Sequence, residues 1–69
     1  MTYFKPGDIV VRRNYNRRVY LVLEVLDVEE EIFELFVLNH EYKNKIGEKF
    51  MWSQSDIKYY CVLLNPKRK

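Results

Sequence analysis

The chain has 69 residues, of which 48% are hydrophobic and 32% charged, and its formal net charge is +2. A chain of this size accommodates one domain near the lower limit for unaided folding, and its composition excludes an intrinsically disordered protein. Because so small a domain has little spare stability with which to hold a strained, desolvated catalytic site, its size favours binding over catalysis.

Cysteine content and hydropathy indicate the compartment. Cys61 is the single cysteine and cannot form an internal disulfide, which favours a reducing environment. No apolar run approaches the roughly 20 residues of a membrane span, and the first residues do not follow a signal-peptide pattern. We therefore expect a protein without membrane association that is located in the cytoplasm or in an assembly built there.

Charge is distributed unevenly along the chain. Three of the twelve basic residues form a tail at residues 67–69, and without them nine bases face ten acids, a net charge of −1. Four arginines fall within residues 12–18, whereas residues 19–42 contain no lysine or arginine and seven of the ten acids. We expect a single, electrically polarised domain over residues 1–66. A nearly neutral body is not typical of a dedicated nucleic-acid binder.

The first half of the chain predicts a turn and two strands. Residues 5–8 contain Pro and Gly, which favour a turn before a β-branched strand at 9–13. Residues 14–16 tolerate turn geometry and predict a hairpin. The second strand, at 17–28, is apolar on both faces, so we expect it to bend through a bulge near Glu24.

An acidic segment then separates the second and third strands. Residues 27–31 are predicted to close a second hairpin that leads into a third strand at 32–38. The competing interpretation is a helix over residues 24–38, because acidic and apolar helix formers are mixed there.

The last part of the chain predicts two more strands. Residues 39–48 form the longest polar connection, and a short fourth strand follows at 49–52. Residues 53–56 predict a turn with Ser or Asp side-chain capping before a fifth strand at 58–64. The chain is therefore expected to be all-β, with five mostly antiparallel strands.

The arrangement of these segments resembles a known family. The Pro-Gly-Asp-Ile-Val run at 6–10, the basic turn, the long second strand and the Trp-Ser-Gln-Ser-Asp-Ile run at 52–57 are similar to those of SH3-like small barrels. The similarity is greatest to short Tudor-like or KOW-like proteins encoded by bacteriophages. It implies an SH3-like barrel with a one-turn 3-10 helix before the last strand, and location in the host cytoplasm or a virion. Members include nucleic-acid binders, peptide binders, virion proteins and inhibitors. The KOW pattern would place a glycine near Val19 to Leu21, where this chain has the bulky Tyr20.

Catalytic and metal-binding signals are weak. His40, the only histidine, lies in a polar connection where we expect it to be exposed, and Cys61 reads as a packed strand residue. One Cys and one His fall short of the usual four ligands of structural zinc, and two glycines cannot build a glycine-rich phosphate loop. The sequence predicts no enzyme activity, no catalytic residue, no metal and no cofactor.

The first hairpin is the candidate site for nucleic acid. Guanidinium groups can bind phosphates bidentately and a tyrosine ring can stack on a base. The candidate residues are Arg12, Arg13, Tyr15, Arg17 and Arg18. The alternative is that these arginines solubilise a sheet edge and form salt bridges with the acidic hairpin or with another subunit.

Aromatic residues make up 16% of the chain, more than so small a core readily holds. We expect Phe33, Phe50 and Trp52 in the core. Tyr15, Tyr42 and one of the pair at 59 and 60 are expected at the surface, where tyrosine favours protein interfaces. The candidate interface residues are Tyr42, Tyr59, Glu29, Glu30 and Glu31.

These observations predict a non-enzymatic protein–protein interaction module. The resemblance implies a phage-encoded one, acting as a small virion component or as a factor that binds and modulates a host protein. The alternative is a nucleic-acid-binding protein that uses the arginine hairpin. Homo-oligomers are a further expectation, because the basic hairpin of one copy complements the acidic hairpin of another.

Overall fold

Five antiparallel strands form one sheet in the computed structural model, which describes residues 4–64. The strand order is β4-β3-β2-β1-β5, with a 3-10 turn at Lys43–Lys45 and a helix, α1, at Gln54–Tyr60 between the last two strands. The strand bounds are β1 (Ile9–Arg12), β2 (Tyr15–Asp27), β3 (Ile32–Asn39), β4 (Lys49–Ser53) and β5 (Cys61–Leu63). The predicted five-stranded antiparallel sheet is confirmed, and α1 connects its two outer strands. The predicted basic tail lies outside the described residues.

The long strand β2 bends as its sequence predicts. Its pairing with β3 shifts register between Val22 and Glu24, where a bulge was expected, and again between Val25 and Asp27. Such shifts bend a strand and increase its twist. Because Glu24 and its neighbours lie in β2 and the following residues in β3, the alternative interpretation of a helix over 24–38 is wrong.

Turn residues fix the ends of β1 and β2. Gly7 has φ +96°, a left-handed conformation that glycine adopts without steric cost, and its N–H donates to the Val22 carbonyl at 2.8 Å. The first hairpin turns at residues 13–14, one position earlier than expected, because Tyr15 already pairs with Arg12 in the β1–β2 ladder. At the acidic turn Glu31 has φ 56°, and Asp27 Oδ1 accepts the Glu30 N–H at 3.0 Å.

The segment before the last strand departs from the prediction. In place of a one-turn 3-10 helix and a strand over 58–64, α1 is a seven-residue α-helix and β5 spans only three residues. Ser53 caps the helix by accepting the Asp56 N–H at 3.2 Å, as the capping signal indicated. The helix continues past its first turn because Ile57 is fully buried beneath it and the Cys61 N–H donates to the Ile57 carbonyl. The 3-10 turn lies instead in the connection at 39–48.

The core is formed by residues of the sheet together with Ile57 of α1. Its buried apolar residues are Phe4, Val10, Tyr20, Val22, Phe33, Leu35, Val37, Ile57 and Cys61. The expectation for Phe33 is confirmed, whereas Phe50 and Trp52 are only partly buried and pack against the core from one side. Part of the Trp52 side chain therefore remains accessible, and it lines the smaller of the two cavities described below. Over residues 4–64, no helix has the length and apolar character needed to cross a bilayer.

Candidate binding groove

Arg13 clamps the first hairpin to the C-terminal end of α1. Its backbone N–H donates to the Tyr60 carbonyl at 2.8 Å, its Nε to the Tyr59 carbonyl at 3.0 Å and its Nη2 to the Lys58 carbonyl at 3.0 Å. The last carbonyls of a helix lack partners within the helix, and a cation is favourable at that end. One arginine thus supplies three donors across 45 or more residues of sequence, and it holds hairpin and helix together.

Arg12 lies among three aromatic rings. Its guanidinium carbon is 5.2 Å from the ring centroid of Tyr15, 5.6 Å from that of Trp52 and 5.0 Å from that of Tyr60. Trp52 and Tyr60 stack on each other, with centroids 5.2 Å apart and planes inclined by 26°. Each distance falls within the range of cation–π attraction. Arg12 therefore joins the hairpin to β4 and α1, and its positive charge is attracted to the three rings.

Arg18 is paired with Glu41. Its Nε and Nη2 donate to the two carboxylate oxygens at 3.0 and 2.8 Å, a bidentate ion pair, and its guanidinium carbon lies 4.1 Å from the Tyr15 centroid. These hydrogen bonds, with a smaller contribution from the Coulomb attraction, lower the pKa of Glu41 to about 2 and raise the pKa of Arg18. The partner of this arginine is therefore the 39–48 connection and not the acidic hairpin.

The pair has a measurable pH dependence. Because the folded pKa of Glu41 is lower than its unfolded value, the stabilisation is present above the unfolded pKa and is lost as pH falls toward about 2. We expect carboxyl-carbon NMR titration to give Glu41 a midpoint near that value, and Arg18→Gln to move it upward toward an ordinary glutamate. Arg17→Gln is the matched control. An unchanged midpoint in Arg18→Gln would contradict the pairing.

Arg17 differs from its three neighbours. Its side chain is exposed and makes no hydrogen bond or ion pair with any residue in the range 4–64. The structure thus brings Arg12, Arg13, Tyr15 and Arg18 into one contact network and leaves Arg17 outside it. The predicted hairpin is real, but most of its guanidinium groups bind within the molecule.

A cavity of about 810 Å³ opens between the hairpin and α1. We call it the hairpin groove. Its lining residues are Arg12, Arg13, Asn14, Tyr15, Lys58, Tyr59 and Tyr60. The three tyrosines are 44%, 74% and 39% exposed in chain order, so the predictions for Tyr15 and Tyr59 as surface residues are confirmed. Within the described part of the chain no carboxylate lines the groove, which therefore combines cations with aromatic rings.

Sequence reasoning missed the α1 side of this groove. The sequence predicts a strand for Lys58 and Tyr60, whereas the structure places both in α1, where they line the groove together with the hairpin. The Ser53 cap with Asp56 three residues later was the available signal for a helix.

A smaller cavity of about 280 Å³ lies on the other side of Arg12, against Tyr20, Phe50 and Trp52. His40 also lines it, and only 10% of its side chain is exposed, so the expectation of a solvent-exposed histidine is wrong. The reason is local: the His40 Nδ1 accepts the Tyr42 N–H at 3.0 Å, and the two rings lie 5.6 Å apart. Tyr42 itself is 60% exposed, as predicted for a surface tyrosine.

The acidic turn lies at the opposite end of α1 from the groove. Glu29 and Glu30 are exposed, and Val28 between the acids is 76% exposed. Glu31 has a different role, because its carboxylate accepts from Gln54 Nε2 at 2.7 Å and its carbonyl accepts the Gln54 N–H at 2.8 Å. Glu31 therefore joins the turn to the start of α1. Of the three predicted acidic interface residues, only Glu29 and Glu30 are exposed carboxylates.

Cys61 is buried, as its sequence context predicted, and desolvation raises the pKa of its thiol to about 11. At pH 8 we expect labelling with a thiol reagent to be at least roughly 100-fold slower than in the guanidinium-unfolded chain, because the thiolate is the reacting form. Comparable rates in the two states would contradict the burial. No group of three metal-ligating side chains is found among the residues that the structure describes.

Comparisons of the chain with protein-family models, with curated proteins and with solved structures gave no match.

Proposed function

We propose that the chain is a non-enzymatic protein–protein interaction module that binds its partner through the hairpin groove. In this proposal the sheet belongs to an SH3-like small barrel encoded by a bacteriophage. The protein acts in the host cytoplasm or the virion, either as a small virion component or as a factor that modulates a host protein. The observation that carries the proposal is the groove itself, which is lined by exposed tyrosines of the hairpin and of α1, two elements that the hydrogen bonds of Arg13 join.

Tyrosine-rich grooves of this kind suit protein partners for a physical reason. Tyrosine supplies a large contact area at low rotamer cost and keeps a hydroxyl for hydrogen bonding. Tyr15 and Tyr60 are held in place by Arg12, and α1 carries the more exposed Tyr59, so little further ordering is needed on binding. A preorganised aromatic surface beside the cations of the groove favours recognition of a polypeptide.

Nucleic-acid binding through the first hairpin is the second candidate. The observation in its favour is that Arg12, Arg13 and Lys58 line the same groove as the tyrosines, with Arg17 nearby on the hairpin. The engagement of the other arginines counts against it. Arg18 is neutralised by Glu41 and Arg13 donates to helix carbonyls, so few guanidinium donors remain for phosphates.

A pull-down with tagged protein, with and without nuclease, separates the two candidates. The protein-binding proposal expects a captured polypeptide that survives nuclease treatment and is lost from the groove variant Tyr59→Ser. Met51→Ser is the matched control, because Met51 is 62% exposed but lies on β4 outside the groove. Capture that disappears with nuclease would contradict the proposal. So would binding to oligonucleotides whose log affinity falls with log salt at a slope of roughly −3 to −4.

A further inference from the structure

We infer that the hairpin groove accepts the acidic turn at residues 28–31 of a second copy of the chain. The inference rests on the proposed function, because it names the partner of the same groove. It uses two surfaces of one molecule that complement each other in charge and in apolar character.

The groove provides the positive partner. Arg12, Arg13 and Lys58 place three cations on its lining, and over the described residues this lining includes no acid. Hydrogen bonds hold Arg13 and ring contacts hold Arg12 at the groove, and neither forms an ion pair with a described residue. Fixed like charges around a concave surface raise the local potential and attract an anionic segment.

The turn provides the negative partner. Residues 27–31 include four acids, and the side chains of Glu29 and Glu30 are exposed with no ion pair inside the described chain. Val28 is the most exposed of the large apolar residues described, at 76%. Contact with the groove tyrosines would remove its methyl groups from water, which is favourable. The turn thus combines an apolar side chain with two carboxylates.

The turn is also held in a defined conformation. Asp27 Oδ1 accepts the Glu30 N–H, and Glu31 is joined to Gln54 through its backbone carbonyl and its carboxylate. A preformed turn loses less conformational entropy when it enters a groove than a flexible one. Both halves of the proposed contact are therefore ordered before they meet.

The arrangement makes the contact heterologous. The groove lies at the start of β2 and the C-terminal end of α1, and the acidic turn lies at the end of β2 and the start of α1. A contact between different surfaces leaves one free groove and one free turn on each pair, so association continues beyond two copies. One turn in one groove is a small interface, and we expect weak association that salt reduces.

Sedimentation velocity tests the inference with the full chain. At low salt and about 1 mM protein we expect a weight-average mass above the monomer's 8.5 kDa, and at about 0.5 M salt at least a tenfold weaker association. A turn variant, Glu29→Lys with Glu30→Lys, and a groove variant, Lys58→Glu with Tyr59→Ser, each change exposed residues and should remain folded by circular dichroism. Each variant alone is expected to be monomeric.

The decisive sample is the equimolar mixture of the two variants. The turn variant keeps an intact groove and the groove variant keeps an intact turn, so the mixture is expected to form a one-to-one heterodimer. A wild-type chain that stays monomeric at low salt overturns the inference but leaves the groove open to another protein. Association that is lost in the groove variant and retained in the turn variant likewise overturns only the choice of the turn. Association retained in both variants overturns the inference and places the contact outside the groove.

Discussion

Replacement of Leu35 by alanine is expected to lower the free energy of unfolding by about 2–5 kcal/mol. Leu35 lies in β3, is fully buried and belongs to the hydrophobic core. Removing its side chain loses the transfer free energy of the buried methyl groups and leaves a cavity that the surrounding strands cannot fill. For a domain of this size the total is roughly 3–10 kcal/mol, so the variant should lose most of its stability.

Chemical denaturation followed by Trp52 fluorescence and circular dichroism measures the effect. Leu38→Ala is the matched control, because Leu38 is in the same strand but is 38% exposed, and we expect a loss under about 1 kcal/mol. If Leu35→Ala fails to fold, Ile57→Val at the buried position of α1 provides a milder test. The expected loss in the free energy of unfolding is about 0.5–1.5 kcal/mol. Equal losses at positions 35 and 38 would contradict the register of β3.

Arg12→Ala is expected to lower the free energy of unfolding by about 1–3 kcal/mol. The guanidinium is within 5.6 Å of three ring centroids, and each contact of this kind contributes roughly 0.5–1 kcal/mol when partly exposed. Arg12 is half-buried, so truncation also removes the packing of its side chain. We further expect a change in Trp52 emission in the folded state, because one side of the indole loses its neighbour.

Arg17→Ala is the control for Arg12, because it removes the same charge from the same hairpin without an internal contact in the described residues. Its effect on stability should lie within about 0.5 kcal/mol. Arg12→Met retains much of the stem without the charge, and an intermediate loss would separate packing from cation–π attraction. Equal effects of Arg12→Ala and Arg17→Ala would contradict the ring contacts of Arg12.

The strands could be predicted because their signals are local. Alternating apolar residues, the glycine at position 7 and the acidic turn mark β1, β2 and β3, and the bulge near Glu24 follows from a strand with two apolar faces. Such features depend on neighbours a few residues away. The sequence therefore predicts the sheet and most of its turns.

The helix and the groove could not be predicted in the same way. Tyr59 and Tyr60 have high β propensity, yet both are helical because Ile57 is buried and Arg13 of the first hairpin supplies donors to the last helix carbonyls. The contacts of Arg12 with Trp52 and Tyr60 likewise join residues at least 40 positions apart. Secondary-structure propensity carries no information about contacts between distant residues. Four clustered arginines therefore predict a surface patch, although most of them bind within the molecule.

The most direct test of the central claim, that residues of the first hairpin and of α1 form one protein-binding surface, is site-specific photo-cross-linking in cells that produce the protein. A benzophenone amino acid at position 59 would report on the groove, and the same group at position 51 would report on an exposed site of β4 outside it. We expect a cross-linked species at position 59 that resists nuclease and is digested by protease, with little product at position 51. A nuclease-sensitive adduct at position 59, or adducts of equal yield at both positions, would contradict the account.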